Sequence, residues 1–345
     1  MLSEAKNRRI TEVGPGTALG RLMREYWIPV LRSSQLAAGG SPRLVRILGE
    51  NFVAFRTEDG EVGFMDEACP HRGASMLLAR NEKCGLRCIY HGWKIAPSGA
   101  LVEAPTHPPE AALHKIRTRS HPVREGQGMI WTWLGEGVPP AFRHLSFTDL
   151  PDDHVIAATM ILNCNWLSPL ETLWDVFHAQ ILHNDTVRAS VRSKVYFSDT
   201  QRSTDTGLRF DYPEMLARRT DYGFSHINRD AAKDTHFHFI LPCSQHHTIS
   251  PDPLEDKGVH MSVPIDDEHT LVCQIFYNRH GPLKSDGFGR ANLDGLADLD
   301  DLYNNIRNIG PRTRENRWGW GQDREAMGRD ESFAGFVGNG TLLNT

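Results

Sequence analysis

Apolar positions along the chain change their period twice, and each change predicts a change of structure. Near the start, "GTALGRLMREYW" carries apolar residues at helical spacing and predicts an opening helix within residues 1–27. From Ile28 to Gly135, short runs rich in β-branched and aromatic residues ("RLVRILG", "NFVAFRT", "EVGFMDEA") alternate with turns such as "EDGE", which is an all-β pattern over 28–135. "APSGA", Ala96 to Ala100, reads as a Pro-Gly turn, either an ordinary hairpin turn or a cap over a neighbouring site. "GEGVPPAF", Gly135 to Phe142, is rich in breakers and marks the domain boundary, leaving 136–345 as a second domain.

That second domain begins with an apolar, helix-like stretch, "ETLWDVFHAQILH". The strand candidates "SKVYFSD", "TGLRFDY", "YGFSHINR", "THFHFILP", "GVHMSVPI" and "HTLVCQIFYN" follow, several bounded by Gly, Pro or Asp. A run of strands without intervening helices predicts one twisted antiparallel sheet and an α+β class rather than a parallel α/β fold. "SDGFGRANLDGLADLDD" reads as a surface loop or a pocket lid.

Bulk properties narrow the class. At 345 residues the chain has room for about two domains. A formal charge of -5 gives no reason to expect nucleic acid or a membrane as partner. The polar start "MLSEAKNRRI" has no signal-peptide core and no apolar run is long enough to span a bilayer, so a cytoplasmic location is expected. Six cysteines are too few and too scattered for a disulfide framework.

Two of those cysteines carry the chemistry. Cys69 and His71 in "CPHRG" and Cys88 and His91 in "CIYHGW" read C-x-H, sixteen residues, C-x-x-H. Two thiolates and two imidazoles on two short loops suit a 2Fe-2S cluster with one iron on cysteines and the other on histidines, a Rieske centre. A structural zinc site is the competing reading, but zinc folds group Cys with Cys and His with His. Cys84 lies four residues before Cys88 and is read as packing or solvent-facing, since four ligands are already supplied. Cys164, Cys243 and Cys273 are read as buried free thiols.

A second constellation, Asp175, His178 and His183, falls in the helix-like stretch. Asp175 and His178, three apart, would be neighbours on one helix face, and His183 joins them only if the helix distorts or ends. Two imidazoles and one carboxylate make the facial arrangement of a non-haem ferrous site with open positions for dioxygen.

With these motifs in order, the chain resembles the Rieske non-haem iron oxygenases, within them the phthalate 4,5-dioxygenase-like oxygenase (alpha) subunits. The resemblance runs from "ITEVGPGTALGRLMREYWIPVL" through "CPHRGASMLLARNEKCGLRCIYHGWK" and "NWLSPLETLWDVFHAQILH" to "QDREAMGRDESFAGFVG". It implies an all-β Rieske domain followed by a helix-grip catalytic domain whose sheet wraps a long helix. Cys69 and Cys88 would bind one cluster iron, His71 and His91 the other, and His178 and His183 the mononuclear Fe(II). Asp175 would bridge a cluster histidine of one subunit to an iron-ligand histidine of the next, in a head-to-tail homotrimer or a multiple of it. The implied partners are an NADH-dependent flavin/iron-sulfur reductase, dioxygen and an aromatic substrate, which is hydroxylated, dihydroxylated or O-demethylated.

Two departures bear on the catalytic half. The family's third iron ligand is an Asp about twenty residues after a "QDR" element, here Gln322, Asp323 and Arg324, but "GNGTLLNT" holds no acid. That ligand is therefore expected after Thr345 in a longer reading frame, and Asp330 and Glu331 read as a polar turn. An electron-transfer or inactive fragment that binds only the cluster is the second reading. Thr172 stands where many relatives place an Asn. His236 and His238 alternate on one strand face, lining a pocket or forming a core or surface pair, and His246 and His247 carry the same ambiguity. Arg218, Arg219 and Arg229 flank the same sheet, where an Arg fork would suit a substrate carboxylate but solvated surface charge is the commoner role. Trp318 and Trp320 read as core or lid aromatics.

Overall fold

Why the first half folds as several small sheets follows from its short strands. The structure, a computed structural model, describes residues 2–108, 113–126, 128–142, 145–175, 214–229, 234–248 and 257–283. Two units emerge, Met1–Arg143 and His144–Thr345. The opening helices are α1 (Glu4–Thr11) and α2 (Ala18–Arg24), the second begun by Thr17, whose hydroxyl accepts from the Gly20 N–H at 3.0 Å. Buried Arg24 ties α2 down, donating to the Leu48 carbonyl at 2.9 Å and to Glu50 at 2.7 Å.

Three antiparallel sheets hold the strands among the described residues of this unit. β1 (Trp27–Arg32) leads into β2 (Arg43–Ile47), β3 (Glu50–Arg56) and β4 (Val62–Asp66), which pair in that order. A four-stranded sheet follows, from β5 (Arg80–Glu82), β6 (Gly85–Arg87), β7 (Lys94–Ile95) and β8 (Leu101–Glu103). β9 (Val123–Gly126) and β10 (Met129–Trp133) return to β1, with the wholly buried "MIWTW" of β10 in the middle. The three long runs singled out from sequence are β2, β3 and β4. "APSGA" is the β7–β8 turn, with Gly99 at φ 79° donating to the Ala96 carbonyl.

Among the described residues of the second unit one seven-stranded antiparallel sheet dominates, as the run of strand candidates predicts. β11 (Val155–Leu162) comes first and is followed by α3 (Leu167–Trp174). β12 (Glu214–Arg219), β13 (Gly223–Arg229), β14 (Asp234–Ile240), β15 (Ser244–Thr248), β16 (Lys257–Pro264) and β17 (Thr270–Tyr277) then form a continuous meander. β11 joins the far side of β17, giving the order β11-β17-β16-β15-β14-β13-β12. β17 is buried along its whole length, while edge strand β12 is mostly exposed. Trp174 of α3 rests edge-on against Phe224 and Phe239, with centroids 4.8 and 5.7 Å away, so α3 covers the sheet face that bears those rings. "SKVYFSD", "TGLRFDY", the Gly- and Asp-rich stretch, Trp318 and Trp320 lie outside the described residues.

Candidate cluster site and catalytic face

Cys69 lies beyond β4 and Cys88 directly after β6, and the two loops fold identically. The Cys69 N–H donates to the Ala74 carbonyl at 2.9 Å and the Gly73 N–H returns to the Cys69 carbonyl at 2.9 Å. In the second loop the Cys88 N–H donates to Trp93 at 2.8 Å and the Gly92 N–H returns to Cys88 at 3.0 Å. Both turns need a left-handed residue four places after the cysteine, and Gly73 and Gly92 supply it at φ 70° and 73°. The glycines in "CPHRG" and "CIYHGW" are thus equivalent. Only the histidine moves, from two to three places after its cysteine.

This pair of turns sorts the ligands by depth. Cys69 and Cys88 are 3% and 2% exposed and belong to one apolar cluster with Phe55, Met65, Leu86, Trp93 and Ile95. Their thiols are hydrogen-bonding neighbours, and burial, with Cys88 alongside, pushes the Cys69 thiol above its ordinary pKa. His71 and His91 are half-buried, their rings 4.6 Å apart, and Ile89 and Tyr90 stand exposed at the tip of the second loop. His71 stacks flat on Trp93, centroids 4.5 Å apart and 4° from parallel, with the His107 ring edge-on at 5.7 Å. Burial, then the neighbouring His91 and Arg72, hold His71 below the ordinary imidazole range, which keeps the ring neutral and able to donate a lone pair.

The donor set fits a two-iron cluster. Nδ1 of His71 is buried without a hydrogen-bond partner, the mark of an atom reserved for a bound group. Two buried sulfurs on one side and two facing imidazoles on the other give each of two irons two ligands.

Sequence reading missed the brace under the second loop. Arg87, next to Cys88, donates to the Gly92 carbonyl at 2.9 Å. Glu82 holds the same guanidinium at 2.9 and 3.0 Å, and Glu103 holds it at 2.6 Å. The Arg87 hydrogen bond holds both carboxyls below their ordinary range. The signal available was the run of charges in "ARNEKCGLRC", which has no motif of its own.

On the catalytic side the structure corrects one expectation. Asp175 is not inside a helix. It is the C-cap of α3, with extended backbone at φ -80° and ψ 99°, and its N–H closes the last turn onto the Glu171 and Thr172 carbonyls at 3.2 Å each. The adjacency expected of Asp175 and His178 involves residues outside the described ones. His178 and His183, like Gln322, Asp323, Arg324, Asp330 and Glu331, lie outside the described residues. Thr172 is buried, and its hydroxyl donates to the Ser168 carbonyl one turn back at 3.0 Å, so it is spent within α3.

The remaining candidates separate by face. His236 and His238 share a face, rings 6.4 Å apart, and the cross-strand partner of His238 is His246. Their strands alternate with the side that bears Phe239, so they point away from α3. The Tyr222 hydroxyl meets His238 Nδ1 at 2.8 Å, and burial pulls His246 down to about 4. Arg218, Arg219 and Arg229 are exposed, Arg229 reaching Glu214 at 3.4 Å. Cys84 is exposed at a β5–β6 turn, whereas burial pushes Cys164 and Cys243 up to about 12 and Cys273 up as well.

Comparison with known proteins agrees with this division. Residues 26–122 match the Rieske 2Fe-2S domain, and residues 132–341 match the LigXa C-terminal domain-like family. The chain is 33% identical to the 3-chlorobenzoate-3,4-dioxygenase oxygenase subunit of Comamonas testosteroni, over 96% of this chain and 78% of that one. It is also 33% identical to the phthalate 4,5-dioxygenase oxygenase subunit of Pseudomonas putida, over 98% and 77%. To the 5,5'-dehydrodivanillate O-demethylase oxygenase subunit of a Sphingobium species it is 31% identical over 92% and 76%. The fold matches the terminal oxygenase of carbazole 1,9a-dioxygenase from a Novosphingobium species, with a TM-score of 0.61 at 20% identity, covering 99% of this chain and 96% of that one. Both domains in order, and relatives above 30% identity along nearly the whole length, place the chain among the Rieske non-haem iron oxygenases, as an oxygenase subunit of the phthalate 4,5-dioxygenase-like branch.

Proposed function

We propose that this chain is a terminal oxygenase that receives NADH-derived electrons from a separate flavin/iron-sulfur reductase and uses dioxygen to hydroxylate, dihydroxylate or O-demethylate an aromatic substrate in the cytoplasm. The observation that carries this reading is the pair of matched loops, with buried thiols beneath facing imidazoles and an unpartnered His71 Nδ1. Cys69 and Cys88 would hold the inner iron of the 2Fe-2S cluster and His71 and His91 the outer one. His178 and His183 would hold a mononuclear Fe(II). When bound, the cluster supplies single electrons at a potential raised by its histidines, and the second iron supplies a site for dioxygen.

The chain's own residues set the conditions for that chemistry. Trp93 fixes the plane of His71, and Arg87 fixes the carbonyl of Gly92 next to His91. His71 and His91 are half-buried while the thiols lie beneath them, so a cluster held there would be reached by an electron donor from the histidine side. Asp175, the C-cap of α3, would bridge to a cluster histidine of a neighbouring subunit in a homotrimeric ring.

The names of relatives support an aromatic substrate, since chlorobenzoate, phthalate and dehydrodivanillate are all aromatic. One relative is named for tert-butanol, so the substrate class rests on the pocket rather than on the family alone. The fold-related carbazole 1,9a-dioxygenase is solved in complex with ferredoxin, which is consistent with an iron-sulfur group on the donor. The test is incubation of the reduced protein with labelled dioxygen and a panel of methoxylated and carboxylated benzenes. Label in a product hydroxyl, or formaldehyde from a methoxyl group, supports the proposal. Oxidation of the cluster with no oxygenated product from any aromatic would overturn it.

A further inference from the structure

On the sheet face covered by α3, one straight row of cross-strand partners runs Phe224, Phe239, Gln245, His260, Gln274 from β13 to β17. Direct partners across an antiparallel ladder point to the same side, and the contacts of Trp174 with Phe224 and Phe239 fix which side it is. The row turns from aromatic to polar at Gln245. His260 is satisfied, its Nε2 meeting Ser262 Oγ at 2.9 Å and its Nδ1 accepting from Gln274 Nε2 at 3.2 Å. Gln245 is not. Its side chain is 0% exposed, and neither Nε2 nor Oε1 has a hydrogen-bond partner.

A buried carboxamide with both ends unpaired is destabilising and rare in a folded chain. A Met or Leu would fill the same space without that cost, so the amide points to a partner that the described residues do not supply. Phe224 and Phe239, 5.2 Å apart, make an aromatic wall beside it. Asp175, which leads toward His178, lies at the end of the helix that covers this same face.

We propose that Gln245 orients the substrate, its carboxamide binding a neutral polar substituent of an aromatic ring that both donates and accepts, as a phenolic hydroxyl or a carboxamide does. Nε2 donates to the substituent's oxygen and Oε1 accepts from its O–H or N–H, which satisfies both orphaned atoms at once. An ionised carboxylate fits worse. It would face Oε1 with a second acceptor, and among the described residues of this unit no Lys or Arg is buried to neutralise it. This assignment deepens the oxygenase reading and rests on it.

The test uses the holoenzyme, held oxidised and free of oxygen, with phenol, benzamide, benzoate and toluene titrated by calorimetry. Wild type is expected to bind phenol and benzamide at least about tenfold more tightly than benzoate or toluene. Gln245→Met is expected to weaken phenol and benzamide by about tenfold and leave toluene unchanged. Its ligand-free thermal midpoint should equal or exceed that of wild type, since an unpaired amide has been removed. Gln245→Leu is read in the same way. A lower midpoint in both variants, or a failure of both to fold, overturns the proposal because it makes the amide a structural group. Equal weakening of all four probes, or benzoate bound more tightly than phenol, overturns it too. If wild type carries a third iron and binds toluene as well as phenol, only this inference fails. If it carries two irons and binds no probe, the oxygenase reading fails and takes the inference with it.

Discussion

The cluster loops and the polar row on the catalytic sheet both bury polar groups, yet they assemble them over different distances along the chain. In each loop the cysteine, the histidine and the left-handed glycine lie within five residues, and two backbone hydrogen bonds set the geometry. In the row, Gln245, His260 and Gln274 come from three separate strands and meet only because the register of β15, β16 and β17 aligns them. Local turns make a site that tolerates change elsewhere in the fold. Register makes one that any slip of a strand would destroy, since one residue of slip turns every side chain to the other face.

The largest effect expected is at the loops themselves. Cys88→Ala should remove the cluster outright, seen as loss of the visible absorption and of about two irons per chain. Retention of a 2Fe-2S spectrum would mean that the sulfur ligand is another residue. Next, Asp175→Asn should leave both iron sites filled and stop turnover. Normal single-turnover oxidation by the pre-reduced variant would remove Asp175 from the electron path.

A finer comparison sets the two loops against each other. Gly73 and Gly92 share a left-handed conformation, so Ala at either costs about 1–2 kcal/mol of stability. A Cβ at Gly92 would also meet Pro105 Cγ at 2.9 Å, whereas Gly73 has open space. Gly92→Ala should therefore lower the denaturation midpoint more than Gly73→Ala, and the reverse order would break the equivalence of the turns. The smallest effect belongs to the brace. Arg87→Met should lower the midpoint by less than Gly73→Ala, by freeing the Gly92 carbonyl and leaving Glu82 and Glu103 with Lys94 alone, at 3.4 and 3.7 Å. Both glutamates have folded pKa values below the ordinary 4.5. Their contribution is present above pH about 4.5 and is lost as the pH falls through the lowered values. Acid titration of wild type and Arg87→Met should converge in that window.

These differences also explain what could be read from the sequence. The two loops that bring Cys69, His71, Cys88 and His91 together were legible because the spacing within each is a local property, and β2, β3, β4, β13, β14, β16 and β17 were legible because their apolar runs are bounded by turn residues. β12 was not. "EMLARR" is composed largely of good helix formers and is a strand only because β13 pairs with it. β15, "SQHHT", is too polar and short to signal a strand, so Gln245 had no place in a face until register gave it one. β11, "VIAATMIL", is a continuous apolar run whose period decides nothing. The end of α3 at Trp174 was hidden for another reason. No Gly or Pro follows Asp175 to announce the stop, and the apolar spacing continues through "DVFHAQIL".

The most direct measurement is iron and acid-labile sulfide per chain after anaerobic reconstitution, with the visible spectrum identifying the cluster. About three irons and two sulfides are expected, two irons in a histidine-ligated cluster and one at His178 and His183. Two irons and two sulfides would contradict the proposed oxygenase by leaving an electron carrier, and one metal without sulfide would contradict the cluster itself.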